Sequence, residues 1–176
     1  LNWKGEFLSA SAGNQVLALA REGVTYADVE GTGTTTLDDS WLEHHVAHVL
    51  DLDLVNAEAI RGAGLKVAVD AVNSSGGIAV PLLLQSLGVE VIQVHCEPTG
   101  DFAHNPEPLP QHLSDLTKTV IDSQCDFGIS VDPDVDRLCF VCEDGSFFGE
   151  EYTLVAVADY VLTHTPGPTV SNLSST

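Results

Sequence analysis

Between residues 62 and 131, short β-rich runs alternate with helical patterns, and this order restricts the fold more than anything else in the chain. Leu65-Lys-Val-Ala-Val-Asp70 is a compact β-rich run. Ser74-Ser-Gly-Gly77 turns the chain, and residues 78–87 make an apolar helix closed by Gly88. Val89 to Val94 reads as the next strand, and a Pro-rich loop follows from Glu97 to Pro110. Leu109, Leu113, Leu116 and Val120 then recur at helical spacing, ending near Gln124, before a third strand at Phe127–Val131. Strands that alternate with helices form a largely parallel sheet with both faces covered. The expected fold is therefore α/β, a three-layer α/β/α sandwich with a mainly parallel mixed sheet. Leu138 to Val141 reads as a return strand, and the Asp-Gly turn within Glu143–Ser146 follows it.

In sheets of this kind, ligands gather beyond the C-terminal ends of the strands. The third strand delivers the chain directly into Asp132-Pro-Asp-Val-Asp-Arg137. Three carboxylates stand at i, i+2 and i+4, and in an extended segment side chains two apart share a face. Like charges brought that close repel unless a cation sits among them. Oxygen-only ligands select a hard divalent ion such as Mg²⁺ or Ca²⁺ over zinc. Arg137 adds an anion-binding fork beside the candidate cation site, the combination that phosphate chemistry asks for.

Composition narrows the partners. With 26 acidic against 6 basic residues the net charge is −20, which argues against nucleic acid, since neutralising phosphates needs clusters of Lys and Arg. No stretch approaches the ~20 apolar residues of a membrane span, and no basic region leads an apolar run near the start as a secretory signal would. Four cysteines, Cys96, Cys125, Cys139 and Cys142, read as reduced core thiols, and a cytoplasmic setting is expected. Cys139 and Cys142 have C-x-x-C spacing, but they lie in a strand and no second pair completes a zinc site. The chain of 176 residues starts at Leu1 and has no methionine, which reads as a piece of a longer protein.

Upstream, residues 1–60 read as helix and loop. Ser11 to Arg21 carries Val16, Leu17 and Ala20 on one stripe, with Gly23 placed to end the helix. Ser40-Trp-Leu-Glu43 matches a capping box for a second helix, on which His44 and His48 stand i, i+4 without a third ligand. Near the end of the chain, a helix bearing Leu154, Val155, Ala158, Val161 and Leu162 precedes a strand expected to begin at Thr169. Asp51, Asp53 and Asp70 read as strand-end or solvent-facing polar residues.

The acidic loop admits several readings. In an EF-hand, Asp132, Asp134 and Asp136 would take positions 1, 3 and 5, with Glu143 at position 12. Position 6 is Arg137, where the sharp turn needs glycine, and the flanks are strands. An Asp-x-Asp phosphatase needs a downstream lysine, whereas Lys4, Lys66 and Lys118 all precede the loop. A non-catalytic module that binds a divalent cation is a further alternative.

The residues also resemble the α-D-phosphohexomutase superfamily, the phosphoglucomutases and phosphomannomutases. Asp132-Pro-Asp-Val-Asp-Arg137, after Asp126-Phe-Gly-Ile129, is similar to that family's Asp-Gly-Asp-Gly-Asp-Arg type of metal loop, with Pro133 and Val135 where glycines are usual. Residues 67–76 resemble the first strand and glycine turn of the family's second domain. Residues 102–110 resemble the loop ahead of its second helix, and residues 149–154 the helix after the metal loop. The resemblance implies that residues 1–60 are the C-terminal remnant of domain 1 and residues 61–176 are domain 2, the metal-binding domain.

It further implies an intramolecular phosphotransferase acting on a hexose phosphate, glucose or mannose, through a phosphoserine and a bisphosphate intermediate. Mg²⁺ would be held by Asp132, Asp134 and Asp136, and Arg137 would be the catalytic residue that neutralises the phosphoryl group. The family's Ser-His-Asn-Pro nucleophile loop is not in the chain; His104-Asn-Pro106 follows Ala103 and belongs to a domain 2 loop. The sugar-binding and phosphate-binding loops of the third and fourth domains are also missing. The resemblance therefore implies that the other domains are partners of this one, and that these residues by themselves do not turn over substrate.

Overall fold

In the computed structural model, residues 1–171 are described. They form two compact units, residues 1–38 and the described residues from 39 onward. The first unit holds helix α1 (Ala10–Glu22), capped by the Ser9 side chain, which accepts from the Ala12 amide at 3.2 Å. Gly23 ends it at a φ of 84°. Val16, Leu17 and Leu19 are exposed.

The second unit carries the sheet. Its elements are α2 (Trp41–Leu50), α3 (Ala57–Ala63), β1 (Lys66–Asp70), α4 (Gly76–Ser86), β2 (Glu90–Val94), α5 (Ser114–Asp122), β3 (Phe127–Val131), β4 (Leu138–Cys142) and α6 (Glu150–His164). Strand order is β2-β1-β3-β4. β1 pairs parallel with both β2 and β3, and β4 runs antiparallel to β3. This is the mainly parallel mixed sheet that the strand–helix alternation implies.

Alternation along β1 divides the core between two layers, because successive side chains face opposite sides of a sheet. Val67 and Val69 join Leu87, Val89, Ile129 and Val131 on one side, where α2, α3 and α4 add Leu50, Ile60 and Leu84. Ala68 packs with Leu113, Leu116 and Val120 of the α5 region and with Cys139 and Val141 of β4 on the other. The unit boundary at residues 38 and 39 lies upstream of the 60/61 division drawn from the sequence. The physical reason is that α2 and α3 pack on the sheet: Val46 is buried, and Ala57 and Ile60 lie against the first core cluster.

Two local expectations are corrected, and a third is sharpened. Ser40 takes helical dihedrals, φ −78° and ψ −14°, and makes no cap hydrogen bond, so no capping box forms; an N-cap oxygen reaches the first turn from an extended backbone. Residues 169–171 are not in a strand, and Val170 is 99% exposed, with no apolar surface to pack on; the rest of that expected strand lies outside the described residues. Asp70 is indeed the last residue of β1, but it is fully buried.

α5 ends in a Schellman motif: the Cys125 amide bonds to the Val120 carbonyl at 2.9 Å and the Gln124 amide to Ile121 at 3.2 Å. That motif needs a left-handed residue, and exposed Gln124 supplies it at φ 51°. An L-residue there costs about 1–2 kcal/mol, against about 0.5–1 kcal/mol for the extra unfolded-chain entropy of glycine. Gln124→Gly is therefore expected to raise stability by about 0.5–1 kcal/mol, read as a higher urea midpoint at unchanged slope.

Candidate metal centre

β3 is a central strand, and Asp132 follows its last residue. The next residues do not continue the extended path. At about 3.3 Å per residue, an extended chain would hold residues 132 and 136 roughly 13 Å apart, too far for one ion. Instead the Val135 amide turns back onto the Asp132 carbonyl at 3.2 Å, with Val135 at a φ of 61°. The turn folds the loop so that one carboxylate oxygen from each of Asp132, Asp134 and Asp136 lies within 4.8 Å of the others. Convergence was legible in the spacing, but a turn produces it and not a shared strand face.

Asp132 is buried, whereas Asp134 and Asp136 are exposed. The Arg137 amide donates to Asp132 Oδ1 at 3.1 Å, fixing the buried carboxylate. Asp134, and after it Asp132, push the Asp136 carboxyl above its ordinary range by like-charge repulsion. For a group raised in the folded state, stability present at low pH is lost as pH rises through that value. The three carboxylates thus repel most at neutral pH, where a divalent cation would relieve them. A hard oxygen donor set with unrelieved negative charge fits Mg²⁺ or Ca²⁺. Among the described residues, these three aspartates are the His, Cys, Asp or Glu group with such geometry.

Nothing in the sequence marks the residues that support this loop as its supports: Ser74 and Ser75 read as a turn, Asp70 as a strand-end or solvent-facing polar residue, and His104 as part of a separate loop. Ser74 and Ser75 both donate to the Pro133 carbonyl, at 2.9 and 2.8 Å. The turn after β1 is thus a clamp on the acidic loop across 58 or more residues of chain. It is a strained turn, with Val72 and Asn73 at φ 48° and 56°, and a β-branched residue seldom adopts such an angle. Behind it, Asp70 accepts from the Val72 amide at 3.0 Å and meets His104 Nε2 at 3.1 Å. His104 Nδ1 lies 2.8 Å from the Asn105 carbonyl. This pair ties the Pro-rich loop to the end of β1. From that loop Glu107 reaches the Arg137 guanidinium. One signal was available: a charged residue ending the short apolar run of a central strand must find a buried partner.

The discounted motifs behave as surface and core features. His44 and His48 stack edge to face with ring centres 4.4 Å apart, beside Trp41. None of the four cysteines is in a disulfide; Cys96, Cys125 and Cys139 are buried and Cys142 is half-buried. Burial first, and Asp70 nearby, push the Cys96 thiol up to about 11.

Residues 43–145 match the family described as phosphoglucomutase/phosphomannomutase, alpha/beta/alpha domain II. The chain belongs to the phosphoglucomutase/phosphomannomutase family. It is 31% identical over 170 residues to the phosphoglucomutase of Neisseria gonorrhoeae, which covers 94% of this chain and 35% of that protein. It is 39% identical over 114 residues to a phosphoglucomutase/phosphomannomutase of Thermococcus kodakarensis, 64% of this chain and 25% of that one. Among solved structures, a phosphoglucomutase/phosphomannomutase family protein from Burkholderia thailandensis superposes with a TM-score of 0.55 at 31% identity. That match covers 63% of this chain and 26% of the other. The chain thus spans 25–35% of the length of these two curated relatives. Val135, one of the two positions where the resemblance set out above expects glycine, takes a left-handed angle, which glycine adopts without strain. No helix among the described residues is long and apolar enough to cross a membrane.

Proposed function

We propose that this chain is the metal-binding domain of a phosphohexomutase, an intramolecular phosphotransferase that interconverts the 1- and 6-phosphates of a hexose such as glucose or mannose. The observation that carries the reading is the convergence of Asp132, Asp134 and Asp136 beside Arg137 at the end of a central strand, in a member of this family. The three aspartates would hold Mg²⁺. When bound, the cation supplies Lewis-acid stabilisation of charge on a transferring phosphoryl group. Arg137 contributes a fixed positive fork for phosphoryl oxygens. Ser74 and Ser75 hold the loop still by their grip on Pro133, and such positioning is most of what phosphoryl transfer asks of a protein.

In this reading the phosphoserine and the sugar-gripping loops come from other domains of the same polypeptide. The exposed Leu154, Val155 and Val157 of α6 suit a surface that meets them. Residues 39–176 would be domain 2, with residues 1–38 the end of domain 1. Cysteines without disulfides suit a cytoplasmic setting.

A coupled dehydrogenase assay for conversion of glucose 1-phosphate to glucose 6-phosphate tests the proposal. The 176-residue chain alone should give no turnover. In the longer polypeptide, Asp134→Asn should lower kcat at least about a hundredfold, since the charge stabilisation at stake is several kcal/mol. Turnover by the isolated chain, or undiminished turnover by the variant, would contradict it.

A further inference from the structure

We propose that Glu107 is the resting partner of Arg137: it holds the guanidinium away from the acidic trio and gives it up to an incoming phosphoryl group. The inference rests on the phosphohexomutase reading of the same loop. Its starting point is the ion pair between Glu107 and Arg137 Nη1, which joins two loops 30 residues apart.

Arg137 directly follows Asp136, so its nearest anions in sequence are the carboxylates that would bind the cation. A guanidinium folded onto them would compete with the metal for the same oxygens. Glu107 draws it elsewhere.

The pair is built to be exchanged. Both side chains are about half exposed, 46% and 51%, and an ion pair at such a surface is weak. A phosphoryl group offers the same fork a more highly charged, bidentate partner. Arg137 also lines an open cleft of about 350 Å³ with Asp136, Leu138, Thr153, Leu154 and Val157, which leaves room for that partner. Meanwhile the Glu107 backbone stays fixed when its carboxylate lets go. Its amide donates to Asn105 Oδ1 at 3.0 Å, and its carbonyl accepts from the Leu109 amide at 2.8 Å and faces His112 Nδ1 at 2.9 Å. The His104–Asp70 contact secures the loop one turn earlier.

Calorimetric titration of the 176-residue chain with Mg²⁺ tests the first half. Glu107→Gln is expected to weaken Mg²⁺ about fivefold, the equivalent of about 1 kcal/mol, because Arg137 turns onto the loop. Adding Arg137→Gln to that variant should restore the affinity, which damage to the Pro-rich loop would not allow. For the second half, the Arg137 Nε–Hε resonance is followed by NMR as inorganic phosphate is added with Mg²⁺ present. It should respond at several-fold lower phosphate in Glu107→Gln than in wild type. Unchanged Mg²⁺ affinity, no rescue by the double substitution, or an unshifted phosphate response would each overturn the proposal while leaving the metal reading intact. A wild-type chain that gives no Mg²⁺ heat would overturn the metal reading itself.

Discussion

Gly77→Ala is expected to destabilise the sheet-bearing unit by about 3 kcal/mol or more and to lower its melting temperature by about 10 °C. Gly77 lies in the first turn of α4 and is buried. A Cβ there would stand 2.1 Å from the Cys96 carbonyl oxygen and 2.6 Å from its carbon, and both are main-chain atoms. Side chains can rotate away from an added methyl, but the segment leaving β2 cannot. The helix would have to lift off the sheet, carrying Ser74 and Ser75 with it and slackening their hold on Pro133. The same substitution at Gly62, inside α3, meets nothing within 4 Å. There it should stabilise by about 0.5–1 kcal/mol through helix propensity. Thermal unfolding of both variants separates the two cases. A Gly77→Ala protein that melts with wild type would mean that α4 does not approach the strand end as closely as described.

The larger functional effect is expected at Asp134. This carboxylate is exposed, so Asp134→Asn should leave the fold's stability nearly unchanged, or raise it by removing the repulsion that acts most strongly on Asp136. The isosteric amide keeps a carbonyl oxygen but loses the charge. Mg²⁺ is bound through few protein ligands and keeps much of its water, so net charge in the site dominates affinity. Binding should fall at least about tenfold, a loss of about 1.4 kcal/mol. The contrast between intact stability and lost affinity marks a site, where a packing residue such as Leu116 would lose both.

How much of this was legible in the chain follows from how far each interaction reaches. The mainly parallel sheet came through because β1 and β3 are short apolar runs, buried on both faces and separated by clearly periodic helices, although the strand order was not legible. The acidic trio was visible because its members are close in sequence, although the turn at Val135 that joins them was not. A β-branched residue gives no hint that it will take a left-handed angle. Hidden altogether were the contacts that span long stretches of chain. Ser74 and Ser75 on Pro133, Asp70 on His104 and Glu107 on Arg137 all join loops that meet only once the parallel strands are aligned. Asp70 shows the limit well: it reads as a strand-end or solvent-facing residue, and nothing local says that it will be fully buried with His104 as a partner. The Ser40 cap failed in the opposite direction, since a matching local motif was overridden by a backbone already helical at that residue.

The central claim is that Asp132, Asp134 and Asp136 together form the cation site of this domain. Titrating Mg²⁺ into the wild-type chain and into Asp134→Asn by isothermal calorimetry tests it most directly. The account predicts a saturable heat in wild type that is lost or weakened at least about tenfold in the variant, with both proteins equally folded. Equal heats in the two proteins would contradict it.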